Sequence, residues 1–78
     1  MTISPAQCRA ARALIEWSQT KLCEAAGVGR ATLANFEAGK SIPYERTLRD
    51  IRAALEAGGV VFIDANGNGP GARLRGRE

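Results

Sequence analysis

The side chains in this sequence that are best suited to chemistry lie in the stretch GVGRATLANFEAG, residues 27–39. An arginine such as Arg30 can form a bidentate pair with guanine, and an asparagine such as Asn35 can form one with adenine. Ala31 and Thr32 can contact a thymine methyl group or allow a backbone to approach closely. These residue types therefore indicate base contacts at all four positions, with a solvated surface arginine and asparagine as the plainer alternative.

Helical spacing decides whether these side chains can act together. On a helix that begins at Arg30, positions 30, 31 and 35 fall on one side of the first turn and a half, whereas Leu33 and Phe36 fall on the opposite side. Such a helix packs one face into a core and presents the other face to a ligand. We predict a structural role for Glu37, as a carboxylate that bonds the backbone or a nearby arginine.

No set of residues in the sequence is suited to catalysis or to metal binding. The chain has no histidine, and Cys8 and Cys23 are separated by fifteen positions, whereas a zinc site needs about four ligands at short spacings. No nucleophile stands beside a base, so we predict neither an enzyme nor a cofactor or metal. Both cysteines lie in helical apolar patterns and are interpreted as buried thiols, with a disulfide between them as the alternative.

Length and charge are those of one small domain. With 78 residues, the chain is expected to form a single domain that is marginal alone and would gain from a partner subunit. Its net charge of +3 fits nucleic acid as a partner, but it also fits solubility alone. The longest apolar run, VVFI, is too short to span a bilayer, so we expect a cytoplasmic protein with reduced cysteines.

Start and stop signals predict four helices. Ser4 followed by Pro5 begins the first, over residues 5–17, and Ser18 begins the second, over residues 19–26. The third runs from about residue 30 to a glycine at 39, and the fourth runs from about residue 44 to the glycines at 58 and 59. The predicted core consists of large apolar side chains on these helices and their turns: Leu14, Ile15, Trp17, Leu22, Val28, Leu33, Phe36, Leu48, Ile51 and Leu55.

The remaining residues have the pattern of strands and turns. VVFI is rich in β-branched and aromatic residues, ANGNGPG is typical of a turn, and ARLR can form a return strand. A hairpin is favoured over a single strand followed by a disordered basic tail. An exposed VVFI edge would invite pairing with a second chain, so a dimer interface is predicted at Val60, Val61, Phe62 and Ile63. The predicted domains are therefore 1–58 and a hairpin with a basic tail over 59–78.

Two short helices joined by a glycine-containing turn form a helix-turn-helix, whose second helix enters the major groove of DNA. The stretch SQTKLCEAAGVGRATLANFEAGKSIPYERTLRDIRAAL, residues 18–55, resembles the lambda-repressor-like helix-turn-helix domain of the Xre family, or Cro type. The features that carry the resemblance follow one another along this stretch: Gln19, Leu22, Cys23, Gly27-Val28, Thr32, Leu33, Phe36-Glu37, Gly39, Pro43, Thr47-Leu48, Ile51 and Ala54-Leu55. No single feature is specific, but the ordered set is.

The resemblance implies an all-α fold, a compact bundle of four to five helices with the strand or hairpin added at its end. It implies a transcriptional regulator that binds operator DNA, and a homodimer on a palindrome would place its two recognition helices about 34 Å apart. It also implies that Gln19 bonds a phosphate and braces the recognition helix, and that Lys40 meets the DNA backbone. The phosphate contacts predicted on this basis are Gln19, Lys21, Lys40, Tyr44 and Arg46.

The sequence departs from the family pattern at three positions of interest. Gly29 and Tyr44 stand where serine is common, and Asn35 stands where arginine or lysine is frequent. Gly29 is the weaker N-cap, and Tyr44 leaves the fourth helix without a side-chain cap unless it contacts DNA itself. A second class of function also stays open: an antitoxin-type or other protein-binding module on the same fold, with residues 59–78 as the partner surface.

Overall fold

The computed structural model describes residues 2–64, 67 and 69–76 of the chain. Its elements follow in the order α1 (Pro5–Leu14), α2 (Gln19–Ala26), α3 (Arg30–Glu37), α4 (Glu45–Ala57), β1 (Val60–Ile63) and β2 (Gly71–Leu74). The described residues thus form four helices and a hairpin, which confirms the predicted mostly helical class and the hairpin. The fifth helix that the resemblance allows is not found among them, and residues 77 and 78 of the predicted basic tail lie outside them.

Serine side chains begin the first two helices. The Ser4 hydroxyl accepts a hydrogen bond from the Gln7 amide at 3.0 Å, and the Gln7 side chain accepts one from the Ser4 amide at 2.9 Å. This pair is a complete capping box. The Ser18 hydroxyl accepts from the Lys21 amide at 3.0 Å in the same way. Gly29 and Tyr44, the N-cap residues of α3 and α4, provide no side-chain cap, as the sequence predicts for a glycine and a tyrosine.

Helix α1 ends at Leu14, three residues earlier than predicted. The chain turns out of the helix because Glu16 adopts a left-handed conformation, with φ of 57°. The Glu16 amide then donates to the carbonyl of Ala13 at 3.2 Å, and the Trp17 amide donates to that of Arg12 at 2.9 Å. These two bonds make a Schellman motif, which usually has glycine at the left-handed position. The prediction of residue 17 was wrong because no glycine signals this end.

The core includes side chains from all four helices and from β1, and Ala72 of β2 packs against it. The buried apolar residues are Ile3, Cys8, Ala11, Leu22, Cys23, Leu33, Phe36, Leu48, Ile51, Leu55, Val60 and Phe62. The prediction of Leu14 in this core was wrong, because the side chain is 37% exposed. The inward face of α1 passes through Cys8 and Ala11, at a spacing of three, and continues at Ile15, so Leu14 lies one position off it. Ile15, Trp17 and Val28 pack at the edge, half-buried.

The hairpin closes one side of this core. Its antiparallel strands pair Val60 with Leu74 and Phe62 with Ala72, and Val60 and Phe62 are only 1% and 8% exposed. Because side chains alternate along a strand, Val61 and Ile63 lie on the outer face. Two of the four residues predicted for a dimer interface, Val60 and Phe62, are therefore buried in the core of the chain itself. The division into 1–58 and 59–78 stays a prediction.

Two polar side chains attach the hairpin to the helices. The Gln7 side chain donates to the carbonyls of Ile63 at 3.3 Å and Gly71 at 3.1 Å, one on each strand. The guanidinium of Arg52 on α4 lies 5.3 Å from the centre of the Phe62 ring, within the range of a cation–π interaction. The hairpin is thus fixed to both α1 and α4.

Candidate nucleic-acid interface

The turn between α2 and α3 contains three residues with different functions. Gly27 ends α2 with φ of 70°, a left-handed conformation that glycine adopts without strain. Val28 is half-buried and packs against the core. Gly29 then precedes the first residue of α3, so the helix begins directly at Arg30. The turn is therefore anchored by one apolar side chain, and its glycine allows the change of direction between the helices.

Helix α3 has the two faces that the spacing predicts. Leu33 and Phe36 are fully buried, and they fix the inner face. The four residues predicted to contact bases are all exposed: Arg30, Ala31, Thr32 and Asn35. The exposed face begins at the N-terminus of the helix, because Arg30 is its first residue. This geometry suits a helix that enters a groove by its N-terminal end.

A groove runs along this exposed face. One side consists of Ala31, Thr32 and Asn35 from α3, and the other consists of the loop between α3 and α4. Ile42 and Tyr44 of that loop are 72% and 87% exposed, so large apolar surface borders the groove. The loop and α3 therefore present one continuous surface.

A second depression lies where α3 and α4 both begin. Its lining includes Gly29, Tyr44, Arg46 and Thr47, together with the carboxylate of Asp50. The first amides of a helix have no partner within the helix, and neither N-cap here supplies a side-chain acceptor. The dipoles of both helices favour an anion at this end, and Arg46 adds a positive charge. Two of the predicted phosphate contacts, Tyr44 and Arg46, thus share one depression.

A buried carboxylate fixes α3 to the two helices before it. The Glu37 side chain is 3% exposed and pairs with Arg12, whose Nη2 lies 2.7 Å from Oε1 and whose Nε lies 2.8 Å from Oε2. The Gln19 amide donates to Oε1 at 2.9 Å, and the Cys8 thiol donates to Oε2 at 3.1 Å. The predicted structural role of Glu37 is confirmed, and its arginine is Arg12. The network fixes the C-terminal end of the exposed helix.

The network also explains the titration behaviour of its members. Burial raises the pKa of Glu37, but the hydrogen bonds from Arg12, Gln19 and Cys8 outweigh burial, so the pKa lies below its ordinary value. Burial first, and then the neighbouring carboxylate of Glu37, raise the pKa of Cys8 far above its usual range. Glu37 is therefore ionised at neutral pH, whereas Cys8 is a protonated donor. Cys8 and Cys23 are both free and buried, as predicted.

The remaining predicted contacts differ in how firmly the structure holds them. The Arg30 guanidinium donates from Nη1 to the Thr20 hydroxyl at 2.6 Å, so it is held against α2. The ammonium of Lys21 lies 5.6 Å from the centre of the Trp17 ring. Lys40 is exposed, three residues after the end of α3. Contact of these residues with DNA stays a prediction.

Sequence reasoning missed two residues that shape this interface, Arg12 and Thr20. Arg12 is half-buried although arginine is usually a surface residue, and its spacing of four from Cys8 on one face of α1 was a signal that could have indicated it. Thr20 gave no local signal. Its partner Arg30 lies ten positions away on another helix, so the contact depends on the angle between α2 and α3.

Two further properties bear on the kind of site. Within the described part of the chain, no three residues of types that bind metals come close enough to hold an ion. No helix there is both long and apolar enough to cross a membrane.

Comparison with known families matches residues 9–58 to the helix-turn-helix family. The matched range begins within α1, continues through α2 and α3, and extends to the glycine after α4. It therefore includes the turn, the exposed face of α3 and, of the Glu37 network, every member except Cys8, but it ends before the hairpin. No curated protein matches the chain.

Proposed function

The chain belongs to the lambda-repressor-like helix-turn-helix family, whose members are DNA-binding regulators, and from that premise we propose that it regulates transcription by binding a palindromic operator as a homodimer. The observation that carries the proposal is the division of α3 into two faces. Leu33 and Phe36 hold it in the core, while Arg30, Ala31 and Asn35 point away from it on the exposed side. A helix so mounted presents base-reading side chains without unfolding any other part of the chain.

Base recognition is divided among four side chains in this proposal. Arg30 pairs with a guanine and Asn35 pairs with an adenine, because each can form a bidentate hydrogen bond in the major groove. Ala31 and Thr32 contact a thymine methyl group or let the helix approach the base edges closely. Phosphates fix the register of this helix on the duplex but do not select the sequence.

The phosphate contacts fall on both sides of α3. Gln19 and Lys21 lie at the start of α2, whereas Lys40, Tyr44 and Arg46 lie after α3. One N–H of the Gln19 amide is used on Glu37, and a side-chain amide has two. The second N–H can therefore donate to a phosphate while Gln19 continues to brace α3.

The dimer is proposed to form through the outer face of the hairpin. Val61 is half-buried and Ile63 is 36% exposed on this face, and the strands carry open edges that can pair with another chain. The molecule measures 35 × 27 × 19 Å across its Cα atoms. Two copies side by side can therefore place equivalent helices about one DNA turn, ~34 Å, apart.

Selection of bound sequences from a random pool of duplexes is the experiment that tests this function. We expect one enriched sequence with two-fold symmetry and half-sites about 10 base pairs apart. Binding to the enriched duplex at ~150 mM salt should exceed binding to random duplex by a factor of about 10³ or more. Equal binding to both would overturn sequence-specific recognition, and enrichment of a single asymmetric half-site would overturn the homodimer.

Sedimentation of the free protein tests the proposed interface. Ile63→Asp should convert a dimer into a monomer, because it places a charge in a buried apolar contact. Ile42→Asp is the matched control, since Ile42 is even more exposed, at 72%, but lies in the loop beside α3. If Ile42→Asp dissociates the dimer and Ile63→Asp does not, the interface lies at that loop.

A second candidate is a protein-binding module that uses the same hairpin. The observation in its favour is the apolar side chain of Ile63 on the outer face of the hairpin, which is 36% exposed. In this case the free protein sediments as a monomer, the random pool yields no enriched sequence, and Ile63→Asp abolishes binding of a protein partner. Deletion of residues 59–78 is a poor test, because it also removes Val60 and Phe62 from the core.

A further inference from the structure

Two side-chain hydrogen bonds join α2 to α3 in the part of the chain that is described. Gln19 donates to Glu37 at the C-terminal end of α3, and the Arg30 guanidinium donates to Thr20 at its N-terminal end, at 2.6 Å. Gln19 and Thr20 are the first two residues of α2. Consecutive residues of one helix therefore hold both ends of the next.

We propose that Thr20 is a positioning residue for base recognition: its hydroxyl holds the Arg30 guanidinium in the orientation that pairs with a guanine. This inference rests on the proposed function and adds to it a residue that determines specificity without touching a base. Arg30 has five N–H donors in a planar fork, and the bond to Thr20 uses Nη1. The edge formed by Nε and Nη2 then stays available for a bidentate pair.

The reason that such a contact matters is the flexibility of a long side chain. Arg30 is exposed and makes no ion pair among the described residues, so Thr20 supplies its one side-chain anchor there. A free arginine samples many rotamers and loses that freedom when it pairs with a base. If the Arg30 guanidinium is already held in place before DNA binds, part of this entropic cost is removed. The resulting gain in affinity applies only to duplexes that carry the base with which Arg30 pairs.

Thr20 can be changed without disturbing the helix that carries it. The N-cap of α2 is Ser18, whose hydroxyl binds the Lys21 amide, and Thr20 is exposed and outside the core. Valine has the shape of threonine and a similar helix propensity, but it lacks the hydroxyl. Serine keeps the hydroxyl and loses only the methyl group. The pair Thr20→Val and Thr20→Ser therefore isolates the hydrogen bond.

The test measures binding of the full chain to the duplex that wild type selects from a random pool, and to its single base-pair variants. Thr20→Val should reduce the preference at the base pair read by Arg30 about 3- to 10-fold, the equivalent of ordering one long side chain. Thr20→Ser should retain the preference. Binding to random duplex should stay unchanged in both, and Thr20→Val should have no further effect when Arg30 is already alanine.

A uniform loss of affinity for all duplexes in Thr20→Val would overturn the proposal, because it would indicate a phosphate contact or a folding defect. A preference that rises in Thr20→Val would overturn it too, since Thr20 would then be holding Arg30 away from the base. In the free protein, NMR relaxation of the Arg30 Nε–Hε group should show greater mobility in Thr20→Val than in wild type or Thr20→Ser. If the wild-type protein shows no sequence preference, the proposed function itself is overturned. That outcome is visible from the wild-type measurement alone, without the Thr20 variants.

Discussion

At the scale of single residues, Glu37 is the side chain on which the orientation of α3 most depends. It accepts hydrogen bonds from Arg12 and Cys8 on α1 and from Gln19 on α2. Arg9 donates in addition to its backbone carbonyl. Three helices thus meet at one carboxylate, and its removal leaves donors without an acceptor in a poorly hydrated place. A buried polar group without its partner costs about 1–3 kcal/mol.

Glu37→Gln should therefore destabilise the protein by about 1–3 kcal/mol at neutral pH, measured by urea unfolding. The pH dependence has a definite sign. The pKa of Glu37 is lower in the folded state than its ordinary value of 4.5, so ionised Glu37 contributes stability that is fully present above pH 4.5. This contribution is lost as the pH falls below 4.5 and through the folded pKa. Wild type should lose stability in this acid range more steeply than Glu37→Gln, and parallel curves would contradict the prediction.

Substitution of Arg30 and substitution of Lys40 should change DNA binding in different ways, the first at one base pair and the second on all duplexes. Arg30→Ala removes a proposed base contact and should cost about 1–3 kcal/mol at one base pair only. Lys40→Ala removes a proposed phosphate contact and should weaken binding to all duplexes alike. In a dimer it should also reduce the slope of log K against log salt by about 2, because two charges leave. Filter binding at several salt concentrations measures both, and each variant is the control for the other.

At the scale of elements, the ends of the helices decide where the exposed face of α3 lies. Helix α3 ends in a Schellman motif, in which the Gly39 amide donates to Phe36 at 3.0 Å and the Lys40 amide donates to Asn35 at 2.8 Å. Gly39 has φ of 77° there, which glycine adopts freely. Helix α1 ends in the same motif with Glu16 instead, at φ of 57°. A left-handed conformation costs a residue with a Cβ about 1–2 kcal/mol.

Glu16→Gly should therefore stabilise the protein by about 0.5–1 kcal/mol, since relief of the strained conformation exceeds the added flexibility of the unfolded chain. Thermal unfolding measures the change as a rise of a few degrees in Tm. Glu16→Ala is the matched control, because it removes the carboxylate but keeps the Cβ. An equal rise in both variants would assign the effect to charge instead of to the backbone.

The same elements show how far the sequence predicts the structure. Ser4, Ser18 and the glycines that end helices act on their own neighbours, so the starts of α1 and α2 and the turn before α3 could be predicted locally. The end of α1 could not, because Glu16 has no left-handed preference and tertiary packing imposes the conformation. The exposure of Arg30 could be predicted from helical spacing. Its bond to Thr20 could not, because it depends on the angle at which α2 and α3 cross, and helical spacing gives no information about that angle.

At the scale of the whole molecule, the core extends beyond the range that matches the family on both sides. The match covers residues 9–58, but Ile3, Val60 and Phe62 lie outside it and are 1%, 1% and 8% exposed. The side chain of Arg52 links both flanks, since it donates to the carbonyl of Thr2 at 3.1 Å and lies over the Phe62 ring. The part of the chain that folds as one unit is therefore larger than residues 9–58, the range that matches the family.

A fragment of residues 9–58 should consequently fail to fold, whereas a fragment of residues 2–76 should unfold cooperatively. The shorter fragment loses three large core side chains, and each such loss costs about 2–5 kcal/mol, against a total stability of about 5–15 kcal/mol for a native domain. Far-ultraviolet circular dichroism during thermal unfolding distinguishes the two. A cooperative transition in the shorter fragment would show that the helices suffice.

The burial of Val60 and Phe62 in the core also affects how the protein folds during its synthesis. While a ribosome has delivered only the helices, the apolar faces of α1 and α4 that pack against the hairpin remain uncovered, and the nascent chain is exposed to chaperones and proteases. When β1 emerges, Val60 and Phe62 become available almost together, because they lie within three consecutive residues. Packing of α1 and α4 is therefore complete only after the hairpin is released, so a translation product that ends before β1 should be degraded faster than the full chain.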